Sequence, residues 1–343
     1  MGALLRLASP GAAEIVASAF DSFPVPAALA YALRLEPMQE QADATIGLPD
    51  GDLVVLAGPG VIETASIDRL RAFAAAANVP VANTWGAKGV LRWDSPHHMG
   101  TCGLQARDFE LLGFATYDAI VATGVDPSES PPERFGLAPV VEVPAPELGR
   151  LAQQVEPASG EIRSNDLYAR LSKLAQPGYS DDRVPLHPAR AVADVRSVLP
   201  SGGIVTAEPG IAGVWVARTF PTTEPGTVVV PARTRRGIAA AIALTAALHG
   251  VPAIAVTTEP LDPTTLGVLK LATEIGVTLT VDVWSTGGPV RRAEDHVNQL
   301  QAAVTEPGVT IVDLPVDLSL TRKLVDAAGP VVAWGGLPVK ESP

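Results

Sequence analysis

The residues whose types and spacing could do chemistry cluster in AIAVTTEPLDPTTLGVLKLATEIGVTLTVDVWSTGG, residues 253–288. Glu259 offers a carboxylate at the end of one apolar run. Ser285 and Thr286 offer hydroxyls at the end of the next, and Gly287 follows them in a glycine turn. Carboxylate and neutral oxygens are the ligands that a hard cation such as Mg²⁺ takes. The spacing predicts a strand, a turn, a helix and a second strand that ends in a polar-glycine turn.

Other groups invite weaker readings. Gly58-Pro59-Gly60 follows an apolar run and precedes a helical one, the place where an α/β fold can present backbone donors to a phosphate. A lone Gly-x-Gly is weak, and Pro59 has no N–H to give, so a structural turn is the simpler reading. His97, His98 and Cys102 fall short of the four ligands zinc usually gathers, and nothing marks Cys102 as a low-pKa nucleophile. Asp282 sits in an otherwise apolar strand, where an unpaired charge is costly. It marks a site, an arginine's partner or an edge position. Trp215 and Trp284 read as core or interface anchors.

These residues need sheets and helices to hold them, and the composition supplies both. The chain has 343 residues, 47% of them hydrophobic and 18% charged, enough to bury two domains. Aromatic residues make up only 5%, so the core is mainly Ala, Val, Leu and Ile, which suits parallel sheets covered by helices. A net charge of −12 argues against nucleic acid and anionic membrane surfaces. Arg233, Arg235 and Arg236 form a local basic cluster that reads as a solvated loop. Cys102 is the single cysteine, which rules out an intramolecular disulfide and fits a reducing, cytoplasmic setting. No apolar run reaches the roughly 18–20 residues that cross a bilayer, and the Pro10- and Glu14-broken start makes a poor signal peptide.

The periodicity predicts an Ala-rich helical segment over 1–48, with helices near 11–20 and 25–35. A first alternating unit spans 49–150, with strands at 53–60, 79–85, 117–124 and 139–144 and a helix near 63–77. A polar linker containing a helix covers 151–184. A second unit, 185–329, opens with a helix over 186–200 and has strands at 203–210, 227–232, 252–258, 277–284 and 309–316. Its Ala-rich helix lies near 236–250, and an irregular tail covers 330–343. The fold class is α/β, two doubly wound parallel-sheet domains, the first Rossmann-like.

Residues 50–147 resemble the central domain of the thiamine-diphosphate (ThDP) enzyme superfamily of acetolactate synthase, pyruvate oxidase and benzoylformate decarboxylase. Gly58-Pro59-Gly60, Pro80-Val81, Thr84, Lys88-Gly89, His98 and Gly100-Thr101 carry the likeness, together with TYDAIVATGVDPSE at 116–129. The second unit is similar to the diphosphate-binding domain of those enzymes, a ThDP fold, through LHPARAVADVRSVLPSGGIVTAEPGIAGVWVARTF at 186–220. RGIAAAIALTAAL follows at 236–248. The resemblance places Glu259 at the metal-binding aspartate and Ser285-Thr286 at the closing Asn-Asn pair. It implies Glu259 and Thr286 as metal ligands, and Gly210, Glu259, Ser285, Thr286 and Gly287 as cofactor contacts. Gly58 and Gly60 fall where some members bind FAD or ADP. Glu208 lies in the turn before Gly210.

The family's Gly-Asp-Gly is replaced by Thr258-Glu259-Pro260. Pro260 lacks an N–H and fixes φ, and glutamate would shift a bound ion by about one C–C bond length, which octahedral Mg²⁺ tolerates poorly. The methionine that props the cofactor is missing from TRRGIAAA, and the stretch from Gly288 to Val309 is short for the family. The segment ahead of the first strand is expected to be too small for the pyrimidine-binding domain that carries the activating glutamate, and Glu14 and Glu36 match no such site. No catalytic residue is therefore assigned.

The leading expectation is a ThDP-enzyme homologue that has lost autonomous catalysis and binds no cofactor, acting as an accessory, regulatory or ligand-binding subunit. A second is the diphosphate-binding half of a split lyase, binding ThDP and Mg²⁺ with a pyrimidine-domain-bearing partner. A third is a nucleotide- or CoA-binding protein using its central domain. The Ala-rich helix and the cofactor face point to association, as a homo-oligomer or with that partner.

Overall fold

The computed structural model describes residues 10–21, 47–155, 161–162 and 165–336. Its frame is a pair of five-stranded, wholly parallel sheets. Helix α1 (Pro10–Asp21) confirms the first expected N-terminal helix, whereas the one expected near 25–35 lies outside the described residues.

The first sheet joins β1 (Leu53–Ala57), β2 (Val81–Thr84), β3 (His98–Cys102), β4 (Ala119–Thr123) and β5 (Val140–Glu142) in the order β3-β2-β1-β4-β5. LVVLA and AIVAT are apolar without alternation because helices or packed loops cover both faces of the sheet. Helix α2 (Ile67–Ala77) turns Ile67, Leu70, Phe73 and Ala74 onto one face. Phe109, Leu112, Phe114 and Phe135 fill the other. Helix α3 (Asp166–Ala175), capped by the Asn165 side chain, lies in the stretch expected as a linker. It is part of the packed body, since Leu171 touches cores of both domains.

The second sheet joins β6 (Ile204–Ala207), β7 (Val228–Val229), β8 (Ala253–Thr258), β9 (Leu279–Ser285) and β10 (Val309–Pro315) in the order β10-β9-β8-β6-β7. Helices α4 (Pro188–Val198), α5 (Ile211–Thr219), α8 (Ala293–Thr305) and α9 (Thr321–Ala328) share one core cluster. Helices α6 (Ile238–Leu248) and α7 (Pro263–Ile275) join α1 in another. Every residue of α6 from Ile238 to Ala246 is buried. Ala12, Ile15, Val16 and Ala19 of α1 belong to the same cluster, so the Ala-rich helix is covered within the chain and does not itself demand a partner.

The domains are tied by polar groups taken out of water. Arg218 on α5 donates to Asp108 Oδ1 at 2.6 Å and to Gln105 Oε1 at 3.0 Å, and both ionic side chains are at most 1% exposed. Residues 330–336 are docked rather than forming an irregular arm. Ala106 donates to the Pro330 carbonyl and Val332 to the Leu104 carbonyl, both at 2.9 Å. Trp334 packs 5.4 Å from Trp85 and donates Nε1–H to the Pro231 carbonyl. The remainder of that tail lies outside the described residues.

Candidate functional site

In an open parallel sheet, ligands bind beyond the carboxyl ends of the strands where the strand order reverses. In the second sheet that point lies between β6 and β8. Two loops leave it, Glu208-Pro209-Gly210 and Glu259-Pro260-Leu261-Asp262, and the N-termini of α6 and α7 meet beside them. A Cβ added to Gly237, just ahead of α6, would lie 3.0 Å from the Thr265 amide nitrogen of α7.

Helix N-termini are anion sites because their first N–H groups lack intrahelical partners. Here the chain fills both with its own carboxylates. Glu208 accepts from the Gly237 N–H at 2.9 Å and the Ala239 N–H at 3.0 Å. Asp262 accepts from the Thr264 and Thr265 N–H groups at 2.8 and 3.1 Å, and from Thr265 Oγ1–H at 2.6 Å. Burial pushes the Glu208 carboxyl up to about 7. The α6 N–H groups pull against that rise and the nearby Asp262 charge adds to it.

Glu259 and Thr286, at the tips of neighbouring strands β8 and β9, are brought together. Glu259 Oε1 accepts from both the Thr286 N–H and Oγ1–H, each at 2.7 Å. These bonds hold the exposed Glu259 carboxyl below its usual range. Ser285 Oγ is buried, accepting from the Gly288 N–H at 2.9 Å. Gly287 is open on its Cα, and Gly210 adopts φ +136° at the start of α5, also with open space. Gly210, Glu259, Ser285, Thr286 and Gly287 thus lie along one sheet edge. Among the described residues no group of three or more His, Cys, Asp or Glu side chains could hold a metal ion. With one carboxylate oxygen already engaged, both flanking helix N-termini capped and no N–H on Pro260, this donor set does not fit a magnesium diphosphate.

Gly58 and Gly60 lie in the other domain and serve the backbone. Their N–H groups donate to the Thr123 and Gly124 carbonyls at 2.8 and 2.9 Å, and the Val61 N–H turns back to Gly58 O. A Cβ on Gly58 would sit 2.2 Å from the Gly124 carbonyl oxygen. The glycines allow two strand ends to approach closely, and these donors are spent inside the fold.

The other residues singled out in the sequence settle clearly. Asp282 is on β9, flanked by β8 and β10, so the edge reading is wrong, and its partner is not an arginine. Buried His296 on α8 approaches Asp282 Oδ1 through Nε2 at 3.3 Å and Asp194 Oδ2 through Nδ1 at 2.9 Å. Trp284 Nε1–H donates to Asp282 Oδ2 at 3.1 Å. Arg190 reaches this network only through Asp194. Cys102 is buried, its thiol pushed well up by burial. His97 meets the Val79 carbonyl instead of joining it. Arg233, Arg235 and Arg236 are exposed, as a solvated loop requires.

Comparison with known proteins agrees with the architecture. Residues 52–144 match the family model of the thiamine pyrophosphate enzyme central domain. No curated protein matches the chain. An X-ray structure from Mycobacterium smegmatis, assigned provisionally as a thiamin diphosphate-dependent enzyme, superposes with a TM-score of 0.59 at 15% identity, covering 77% of this chain and 61% of that one. The chain therefore spans about three fifths of that protein's length, and the likeness is one of fold. Residues 52–144 are thus similar to the thiamine pyrophosphate enzyme central domain, and what the chain as a whole shares with the matched structure is its fold.

Proposed function

We propose that this chain is a ThDP-enzyme homologue without autonomous ThDP catalysis, acting as an accessory, regulatory or ligand-binding subunit. The observation that carries the reading is the pair of carboxylates, Glu208 and Asp262, bonded into the N-termini of α6 and α7. A diphosphate arriving there would have to displace one or both, and would face Glu259 as well. Like charges brought together at a partly buried site repel each other. Pro260 offers no donor in compensation. The test is turnover of pyruvate by the chain with ThDP and Mg²⁺, followed as CO₂ release. No release above the protein-free rate is expected, and sustained release would overturn the reading.

One observation favours a second reading, a subunit of a split lyase completed by a pyrimidine-domain partner. Glu259 and Thr286 still present exposed oxygens on adjacent strand tips. Under that reading, co-purification yields a partner whose addition confers ThDP-dependent decarboxylation. A chain that stays inactive with every co-purifying protein excludes it.

A further inference from the structure

A cavity of about 650 Å³ lies between the two domains, within the size range of small-molecule sites. It shares no lining residue with the β8–β9 edge, so its occupancy is independent of whether ThDP binds. Its walls are mostly apolar or aromatic, with Met99 of β3, Leu171 of α3 and Phe220 after α5 among them. The polar lining comprises the hydroxyls of Thr101, Tyr168, Ser172, Tyr179 and Thr219, the Gln176 amide, and three basic side chains with no carboxylate among them. Lys88 is 7% exposed, and its side-chain ammonium has no hydrogen-bond or ion-pair partner among the described residues. His98 Nδ1 and Arg218 Nε, on two other lining residues, are buried and unpartnered.

Arg218 is neutralised by Asp108 on the first domain; Lys88 has no such counter-ion. An ammonium left in an apolar wall without an anion is costly, and the family-type turn that holds it is fixed from the other side. Gly89 takes φ +94°, and a Cβ there would lie 2.4 Å from Thr222 Cγ2 of the second domain. The lysine is therefore held at the domain junction by backbone packing, with its charge uncompensated.

We propose that this cavity binds a small monocarboxylate with an apolar, aromatic-sized body, its carboxylate paired with Lys88 and its body against Met99, Leu171 and Phe220. The unpaired amine behaves accordingly. Burial, with Arg218 adding to it, draws the Lys88 ammonium down to about 7, and a bound carboxylate restores the charged form. The other titratable groups lining the cavity are His98, kept neutral because burial lowers it to about 4, and Arg218, Tyr168 and Tyr179. Ligand binding above pH 7 is consequently coupled to uptake of a proton by Lys88.

The experiment titrates the full chain with 4-phenylbutyrate and with 4-phenylbutan-1-ol by calorimetry, in phosphate and in Tris at pH 8, for wild type and Lys88→Met. Wild type is expected to bind the acid about tenfold or more tightly than the alcohol, taking up as much as one proton per ligand. Lys88→Met removes both the preference and the proton uptake while keeping the alcohol's affinity. Equal affinity for acid and alcohol, an unchanged acid affinity in Lys88→Met, or no saturable acid binding below about 1 mM would overturn the proposal. Should Lys88→Met not fold, proton uptake by wild type decides alone, and its absence refutes the pairing.

Discussion

Glu259 Oε1 lies 2.7 Å from both the backbone nitrogen and Oγ1 of Thr286, joining the tips of β8 and β9. The two candidate metal ligands thus satisfy each other. Both hydrogen bonds favour the ionised carboxylate, which is why its pKa is depressed. Thr286→Val removes one of them. The Glu259 carboxyl is then expected to titrate at a higher pH than in wild type, as read by ¹³C NMR of the side-chain carboxyl and assigned with Glu259→Gln. An unchanged titration would mean that the hydroxyl is not bonded to it in solution.

Glu208 makes stability depend on pH in a direction opposite to that of most paired carboxylates. Its folded pKa is raised from 4.5 to about 7. The folded state therefore holds the proton more tightly than the unfolded one, so this contribution is complete below about 4.5 and is lost as pH rises through about 7. Glu208→Gln cannot titrate. Between pH 4.5 and 8, wild type should lose on the order of 3 kcal/mol relative to Glu208→Gln, measured by urea denaturation at each pH. Parallel profiles for the two proteins would show that Glu208 titrates normally.

His296 sits between two buried carboxylates. Burial alone would lower its pKa, but Asp282 and Asp194 override that and raise it to about 9. This contribution is complete below the ordinary value near 6.5 and disappears as pH rises through about 9. His296→Leu leaves Asp282 and Asp194 without their shared cation, and a loss of about 3 kcal/mol is expected at pH 7. The variant's stability should also fall less than that of wild type between pH 7 and 10. A cost below about 0.5 kcal/mol, or an unchanged alkaline profile, would contradict the charged assignment.

Much of the frame was readable from the residues, for reasons the structure makes plain. Strands buried on both faces appear as unbroken runs such as LVVLA and AIAVTT, and so both sheets could be anticipated. Strand β3 could not be: HMGTC has little apolar signal, contains Gly100 at φ +119° and pairs with β2 across a register irregularity. Spacing also brought Glu259 and Thr286 to one edge. What spacing could not show were partners distant in sequence. The cost of burying Asp282 was evident, but His296 and Asp194 lie on helices whose packing depends on the whole domain. The cap on α6 was similarly hidden, because Glu208 reaches it from a different loop. By contrast, Asp262-Pro263 is a readable start for α7, with a side-chain acceptor before a proline at the first helical position. Arg218 had no sequence signature; only the docking of the two domains pairs it with Asp108.

The central claim is that the chain's own carboxylates hold the positions a diphosphate would need. Isothermal titration of the full chain with ThDP in excess MgCl₂ at pH 7.5 tests it most directly. The account predicts no saturable heat up to about 1 mM ThDP. Saturable binding in the micromolar range would contradict it.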